Sequence, residues 1–331
     1  DNRERLEQVL SYDEDTAGRL MNPDVVTVRA DTTVDVVLRY LRLRGELPDH
    51  TDHLYVVSRR HQYLGRIALQ ALLTHEANTP INALLDDEQP AIDVGEPDER
   101  VARMFSDHDW ISAPVVDENN ILLGRITIDD VVDIIREQAE HQALGAAGLD
   151  EDEDLFSPVR RAVRGRVVWL AVNLVTAFLA SAVVGQFEGT LEQIVALAVL
   201  MPIVAGMGGN AGTQVLALMV RGLALGQVGA SNARVLLWKE IRVALLNGLM
   251  LGTLVALVAL LWFHNIGISL VIGSALTINL CAAALAGVLV PLTLKRMGYD
   301  PALAGGVILT TVTDVIGFLS FLGLATLVLL R

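Results

Sequence analysis

The sequence predicts a multi-domain membrane protein, with a water-soluble α+β half built as a tandem repeat followed by an all-α half of five membrane-spanning helices. Three observations predict it. Charge is segregated: residues 1–157 hold 34 of the 39 acidic residues against 14 arginines, a net charge of −20, whereas residues 158–331 hold 11 basic and 5 acidic residues, a net of +6. Hydrophobicity is segregated too. Of all residues 52% are apolar and 19% charged, and the long apolar runs fall in the second half, whose solvent is therefore lipid. Finally, the first half repeats itself: "YLGRIALQALL" (63–73) lies over "LLGRITIDDVV" (122–132), and the same offset of 59 residues carries "HLYVVS" (53–58) onto "SAPVVD" (112–117).

Taken in order, the first 24 residues are charged and contain no secretory signal, which places the soluble half most simply in the cytosol. Two repeat copies follow, over 21–78 and 79–135. "PDVVTVRADTTVDVVLRYL" resembles "QPAIDVGEPDERVARMF", with the first copy longer by about six residues around "GELPDH". Each copy predicts a short strand, an amphipathic helix, two short strands around a turn containing Gly65 or Gly124, and a second helix. A connecting helix over 136–164 then leads to the membrane. The helical stretch that enters it, from about Asp130 to Leu155, carries Asp133, Glu137, Glu140 and the run "DEDED" (150–154). So dense a negative charge repels itself unless cations sit among the carboxylates, and a divalent cation shared between facing carboxylates would hold an assembly closed.

The membrane region, 165–331, contains five apolar stretches at about 167–186, 193–220, 243–263, 268–294 and 302–330. Each reaches about 30 Å at 1.5 Å per residue. Arg160, Arg161, Arg164 and Arg166 precede the first; Arg221, Arg234, Lys239 and Arg242 separate the second from the third; Lys295 and Arg296 separate the fourth from the fifth. The loops "FEGT" and "HNIG" contain no Lys or Arg, so positive charge alternates from side to side. That puts the N-terminus on the cytosolic side and the C-terminus outside. The lone Cys281 excludes a disulfide within the chain.

The fifth stretch holds the residue that asks for a function. Asp314 lies inside "VILTTVTDVIGFLSFLGLATLVLL" (307–330), and a carboxylate at mid-membrane costs roughly 2.5–3.5 kcal/mol, so it faces a polar interior or a water-filled path. Thr310, Thr311 and Gly317 fall near its face at helical spacing and leave room for a hydrated ion. The second stretch has a matching irregularity, "MPIVAGMGGNAGTQ" (201–214): its glycines allow close helix approach, while Asn210 and Gln214 project two amides from one face. A site with one carboxylate suits Mg²⁺, which keeps several waters, and the absence of Cys or His near Asp314 disfavours a soft metal. No GxxxxGK loop is present to drive an ATP pump, and no nucleophile–base pair marks an enzyme, so no catalytic residue is expected. No nucleic-acid partner is expected either.

The two repeat copies resemble a CBS-domain pair, a module that binds adenine nucleotides. The family's hydroxyl and carboxylate pair is present in copy two as Thr127 and Asp130, a possible ATP contact or simply a helix cap, and is replaced in copy one by Ala68 and Ala71. "SYDEDTAGRLM" (11–21), this pair, the acidic connecting helix, "PIVAGMGGNAGTQ" and "DPALAGGVILTTVTDVIGFL" (300–319), in that order, resemble the MgtE family of magnesium channels over nearly the whole chain. The resemblance implies a homodimer in a prokaryotic plasma membrane whose pore, lined by the second and fifth membrane helices, holds hydrated Mg²⁺ at Asp314. It also implies closure when Mg²⁺ binds the CBS and connecting-helix region, for which Asp133, Glu137 and Glu140 are the candidate ligands. Within 1–20, "NRERLEQVL" looks like the last helix of the family's acidic N-terminal domain, the rest of which is not in this sequence. Two other readings use the same residues: a proton- or Na⁺-coupled divalent cation transporter, and a membrane-anchored CBS nucleotide sensor.

Overall fold

The computed structural model describes residues 7, 9–149, 156–229 and 231–330. The run 150–154 and most of "NRERLEQVL" lie outside the described residues. The chain forms two compact units, 1–139 and 140–331.

The first unit contains α1 (Ala17–Leu20), β1 (Thr27–Arg29), α2 (Val34–Arg44), β2 (His53–Val57), β3 (Tyr63–Ala68) and α3 (Leu69–Thr74), then β4 (Ile92–Asp93), α4 (Asp98–His108), β5 (Ser112–Val116), β6 (Leu122–Thr127) and α5 (Ile128–Ala146). The strands make two three-stranded sheets, β1-β2-β3 and β4-β5-β6, each with one parallel and one antiparallel pair. The offset of 59 holds to the residue: His53 pairs with Ala68 as Ser112 pairs with Thr127, and the register shifts at Val56/Val57 as at Val115/Val116. The glycines are not in the turns. Gly65 pairs with Val56 inside β3 and Gly124 with Val115 inside β6, while the reversals fall at 58–62 and 117–121. Each glycine instead admits a third backbone: a Cβ on Gly65 would lie 2.7 Å from the Asp86 carbonyl oxygen, and one on Gly124 would lie 2.9 Å from that of Asn22. Arg66 and Arg125, the residues that directly follow these glycines, bridge to those same segments.

The copies exchange their leading segments. Ala17 and Met21 are buried with Phe105, Val115 and Ile126 of the second copy, and Leu84 and Leu85 pack against Leu54, Val56 and Ile67 of the first. Residues 17–21 therefore belong to the second copy's core.

The second unit contains α6 (Val159–Gly185), α7 (Glu188–Gln193), α8 (Val195–Ala224), α9 (Ala233–Phe263), α10 (Ile266–Arg296) and α11 (Pro301–Leu329). Among the described residues, five of these are long and apolar enough to cross a membrane. The helices run beyond the apolar stretches. The third begins at Ala233 rather than at 243, so Arg234, Lys239 and Arg242 lie on a helix and not in a loop. Charged Lys, Arg and Glu are good helix formers, and hydropathy marks where lipid ends, not where the helix does. The "FEGT" connection is likewise partly helical, as α7. α10 is the central helix, with more of its apolar segment buried than any other candidate span. α9 meets it through glycine: a Cβ on Gly252 would lie 2.7 Å from the Gly273 carbonyl oxygen, and the Thr277 hydroxyl donates to the carbonyls of Gly248 and Gly273, 2.9 Å each.

Candidate ion pathway

Helical periodicity divides α8 and α11 each into a packed and an open face. On α8, Val204, Gly208, Gly212 and Leu216 recur every four residues and are buried, leaving Asn210, Thr213 and Gln214 exposed. On α11, Gly305, Leu309, Thr313 and Gly317 are buried, leaving Thr310 exposed and Asp314 half-buried. Small residues draw the helices together: a Cβ on Gly212 would lie 2.9 Å from Leu309 Cδ1, and one on Gly305 would lie 3.0 Å from Leu216 Cδ1.

The open faces border one cavity of about 670 Å³, lined by Thr213 and Ala217 of α8, Gly306 and Thr310 of α11, and Trp169 and Asn173 of α6. Asp314 lies one turn beyond Thr310 on the same helix. Among the described residues, no side chain pairs with its carboxylate or donates a hydrogen bond to it. Thr310 and Thr311 donate to the carbonyls of Gly306 and Val307 at 2.8 and 2.7 Å, which leaves their oxygen lone pairs as acceptors. An unpaired carboxylate, two amides and several hydroxyl oxygens in mid-span offer oxygen to a cation and hydrogen bonds to its waters.

Gly317 is placed differently from the expectation. It is buried against Asn279 of α10, where a Cβ would lie 2.6 Å from Asn279 Nδ2, so it serves helix contact rather than the open face. Residue i+3 is turned about 60° from residue i, enough to carry Gly317 off the face of Asp314. Three polar residues went unnoticed in the sequence. Thr213 and Asn173 line the cavity, and Asn279 is fully buried. A single amide inside an apolar run, as in "TINLC" (277–281), is the signal that was available for Asn279.

Where α11 begins, the Asp300 carboxylate accepts from Ala302 N (2.8 Å) and pairs with His141 Nε2 of α5 (2.7 Å). The candidate regulatory carboxylates Asp133, Glu137 and Glu140 are exposed on α5. Among the described residues, no three His, Cys, Asp or Glu side chains converge to hold a metal. Glu137 is felt electrostatically at Asp98, whose carboxyl is pushed up by burial and by the charges of Asp15, Glu99 and Glu137.

In the second copy, the Thr127 hydroxyl donates to Asp130 Oδ2 at 3.0 Å, and its backbone N–H points to the same oxygen at 3.3 Å. This is one half of a capping box at the start of α5. Burial pushes the Asp130 carboxyl up, outweighing the bonds from Thr127. Ala68 at the matching place makes no such cap. Nearby, Ser112 Oγ donates to Asp52 (2.6 Å) and receives from Tyr55 (3.0 Å), and Asp52 also pairs with His53.

Known proteins match both units of the chain. The family model "MgtE: Divalent cation transporter" matches residues 201–324, which hold α11 as far as 324 and most of α8, and CBS-domain models match 17–78 and 84–137. The chain is 31% identical to the magnesium transporter MgtE of Enterococcus faecalis over 97% of its own length and 71% of the relative's, and 33% identical to that of Thermus thermophilus over 99% and 73%. It belongs to the MgtE family of magnesium transporters. A solved structure of the cytosolic domain of the Mg²⁺ channel MgtE in complex with ATP is 34% identical, with a TM-score of 0.39, and the match covers 40% of this chain and 55% of that one. In this chain the CBS matches precede the apolar helices, and the family match includes Asn210, Gln214, Thr310 and Asp314.

Proposed function

We propose that this MgtE protein carries Mg²⁺ into the cytosol down its electrochemical gradient, through a water-filled passage between two copies of the chain in a bacterial plasma membrane. The observation that carries the proposal is the half-buried, unpaired Asp314 on an open polar face in mid-span. A carboxylate left without a counter-charge in lipid is accounted for by an ion that visits it. A second copy supplies the facing carboxylate and closes the passage. No chemical fuel is needed, because a doubly charged ion gains roughly 4.6 kcal/mol on moving inward across 100 mV.

Each residue has its role in that passage. Asp314 holds the hydrated ion electrostatically, Asn210, Gln214 and Thr310 bond its water shell, and Mg²⁺ crosses without losing most of that shell, which it sheds reluctantly. Closure follows when cytosolic Mg²⁺ binds Asp133, Glu137 and Glu140 together with carboxylates of the second copy, since one chain's described residues gather no complete ligand set. ATP at the CBS pair would use Thr127 and Asp130, whose mutual hydrogen bond must open to receive it.

Reconstituted protein tests the transport step. Asp314→Ala is expected to abolish Mg²⁺ flux into liposomes while leaving the protein folded and of unchanged oligomeric size. Flux at the wild-type rate in that variant would end the assignment. Flux that follows a pH or Na⁺ gradient and ignores the membrane potential would favour a coupled transporter instead.

A further inference from the structure

The buried face behind the passage contains a polar side chain that the proposed transport does not use. Asn279, in the middle of α10, has no solvent exposure. Its Nδ2 donates to the Val204 carbonyl of α8 at 2.9 Å, and its Oδ1 accepts no hydrogen bond from the described residues. Two glycines receive it. On α8, one turn from Val204, a Cβ on Gly208 would overlap Nδ2; on α11, a Cβ on Gly317 would lie 2.6 Å from Nδ2 and 3.1 Å from Cγ. One amide thus fills notches in both helices that carry the polar face.

An apolar side chain of similar size would fill the same space without leaving an acceptor unbonded, and a buried unmet acceptor costs about 1–3 kcal/mol. The amide is therefore placed for something other than stability. Helix geometry says what. Asn210 lies two residues, about 200°, from Gly208, so the peg bears on the side of α8 opposite the exposed amide of Asn210. Gly317 lies one turn beyond Asp314. Whatever fixes Gly208 against Gly317 fixes the spacing of Asn210 and Gln214 relative to Asp314.

We propose that Asn279 is a positioning residue of the passage: seated between Gly208 and Gly317 and bonded to Val204, it sets the separation of α8 and α11 at the level of Asp314. Its volume then sets how well the passage fits a hydrated Mg²⁺ as against a larger hydrated divalent ion. This use of Asn279 rests on the transport reading above, but the spacing itself is measurable without transport.

Spin labels at Thr213→Cys and Thr310→Cys, in a Cys281→Ala background, report the distance between α8 and α11. Asn279→Ala, or the milder Asn279→Ser if the alanine variant does not fold, is expected to shorten or broaden that distance. An unchanged distribution in a folded variant would overturn the proposal. In liposomes the same variants are expected to raise the half-saturating Mg²⁺ by about tenfold, equivalent to about 1.4 kcal/mol, and to erode discrimination against Ca²⁺. Gly317→Ala, which drives a methyl into the amide, is expected to impair flux in the presence of Asn279. The double variant with Asn279→Ala is expected to recover it. A folded double variant no better than Gly317→Ala, or singles with native selectivity, would also overturn the proposal. If wild-type liposomes carry no Mg²⁺ while the spin-label distance still shifts, the transport reading fails and the positioning role stands.

Discussion

Gly65 and Gly124 show how one residue type at one place specifies this fold. Each lets a carbonyl from the other copy's leading segment approach its strand, at 2.7 and 2.9 Å from where a Cβ would stand, and Gly65 also has φ +148°. Gly65→Ala and Gly124→Ala are each expected to cost about 1–3 kcal/mol, more for Gly65 because strain adds to overlap. Gly95→Ala, whose Cβ would meet nothing nearer than 3.4 Å, should melt like wild type. Equal melting temperatures for all three would refute the exchanged packing. At the same scale, Asp52 and Asp86 make part of the first unit's stability acid-sensitive. Burial pushes Asp52 up, but the bonds from His53 and Ser112 outweigh it, and the Arg66 bond holds Asp86 down, so both carboxyls titrate below the ordinary range. The unfolded chain takes up these protons first. The stability they confer is therefore whole above about pH 4 and is lost as pH falls through the folded values. The acid loss of melting temperature due to these two carboxyls should set in below about pH 4 and be shallower in Asp52→Asn. Much of this was legible. The copies' alignment gave the order of strands and helices because a repeat conserves spacing, and Asp314 stood out because a carboxylate is rare in lipid. Gly65 was misplaced into a turn because glycine serves both turns and close approach, and a sequence does not print the third backbone. Asn279 was missed because its meaning lies in two glycines from 208 to 317.

Among the elements, α11 joins the passage to the connecting helix. Asp300 caps its first turn through Ala302 N and holds His141 of α5. These two jobs separate by mutation. Asp300→Ala removes both and should lower stability by about 1 kcal/mol, whereas His141→Ala keeps the cap and should melt within about 0.5 kcal/mol of wild type. If the tie transmits the state of α5 to the passage, both variants should shift the cytosolic Mg²⁺ concentration that halves flux in the same direction. A shift in Asp300→Ala alone would assign the effect to a frayed helix end. The helix limits tell a related story about legibility. The apolar stretches located all five spans, but α9 starts well before its stretch because Arg234, Lys239 and Arg242 continue the helix into the interface, where long basic side chains are at home. The exchange of leading segments between the two copies left no periodic mark in sequence at all.

At the scale of the whole molecule, charge organises the proposed control. A soluble half with a net charge of −20 stands in sequence before a membrane half at +6. Two explanations of Mg²⁺ closure are then open to measurement: general screening of like charge, or occupation of sites. Screening depends on ionic strength and is already strong at 0.15 M monovalent salt, where charges more than about 8 Å apart scarcely interact. Occupation depends on Mg²⁺ itself and on particular carboxylates. The exposed side chains of Asp133, Glu137 and Glu140 recur at four- and three-residue steps along one face of α5, as ligands for an ion shared with a second copy would. Neutralising all three, as Asp133→Asn, Glu137→Gln and Glu140→Gln, is expected to raise the half-inhibitory cytosolic Mg²⁺ by about tenfold, equivalent to about 1.4 kcal/mol, with maximal flux unchanged. Adding monovalent salt to the wild type should not reproduce that effect. An unchanged inhibition curve in the triple variant would remove these carboxylates from control. Inhibition reproduced by salt alone would make the acidic half a diffuse sensor of ionic strength, with no ion held at a defined place.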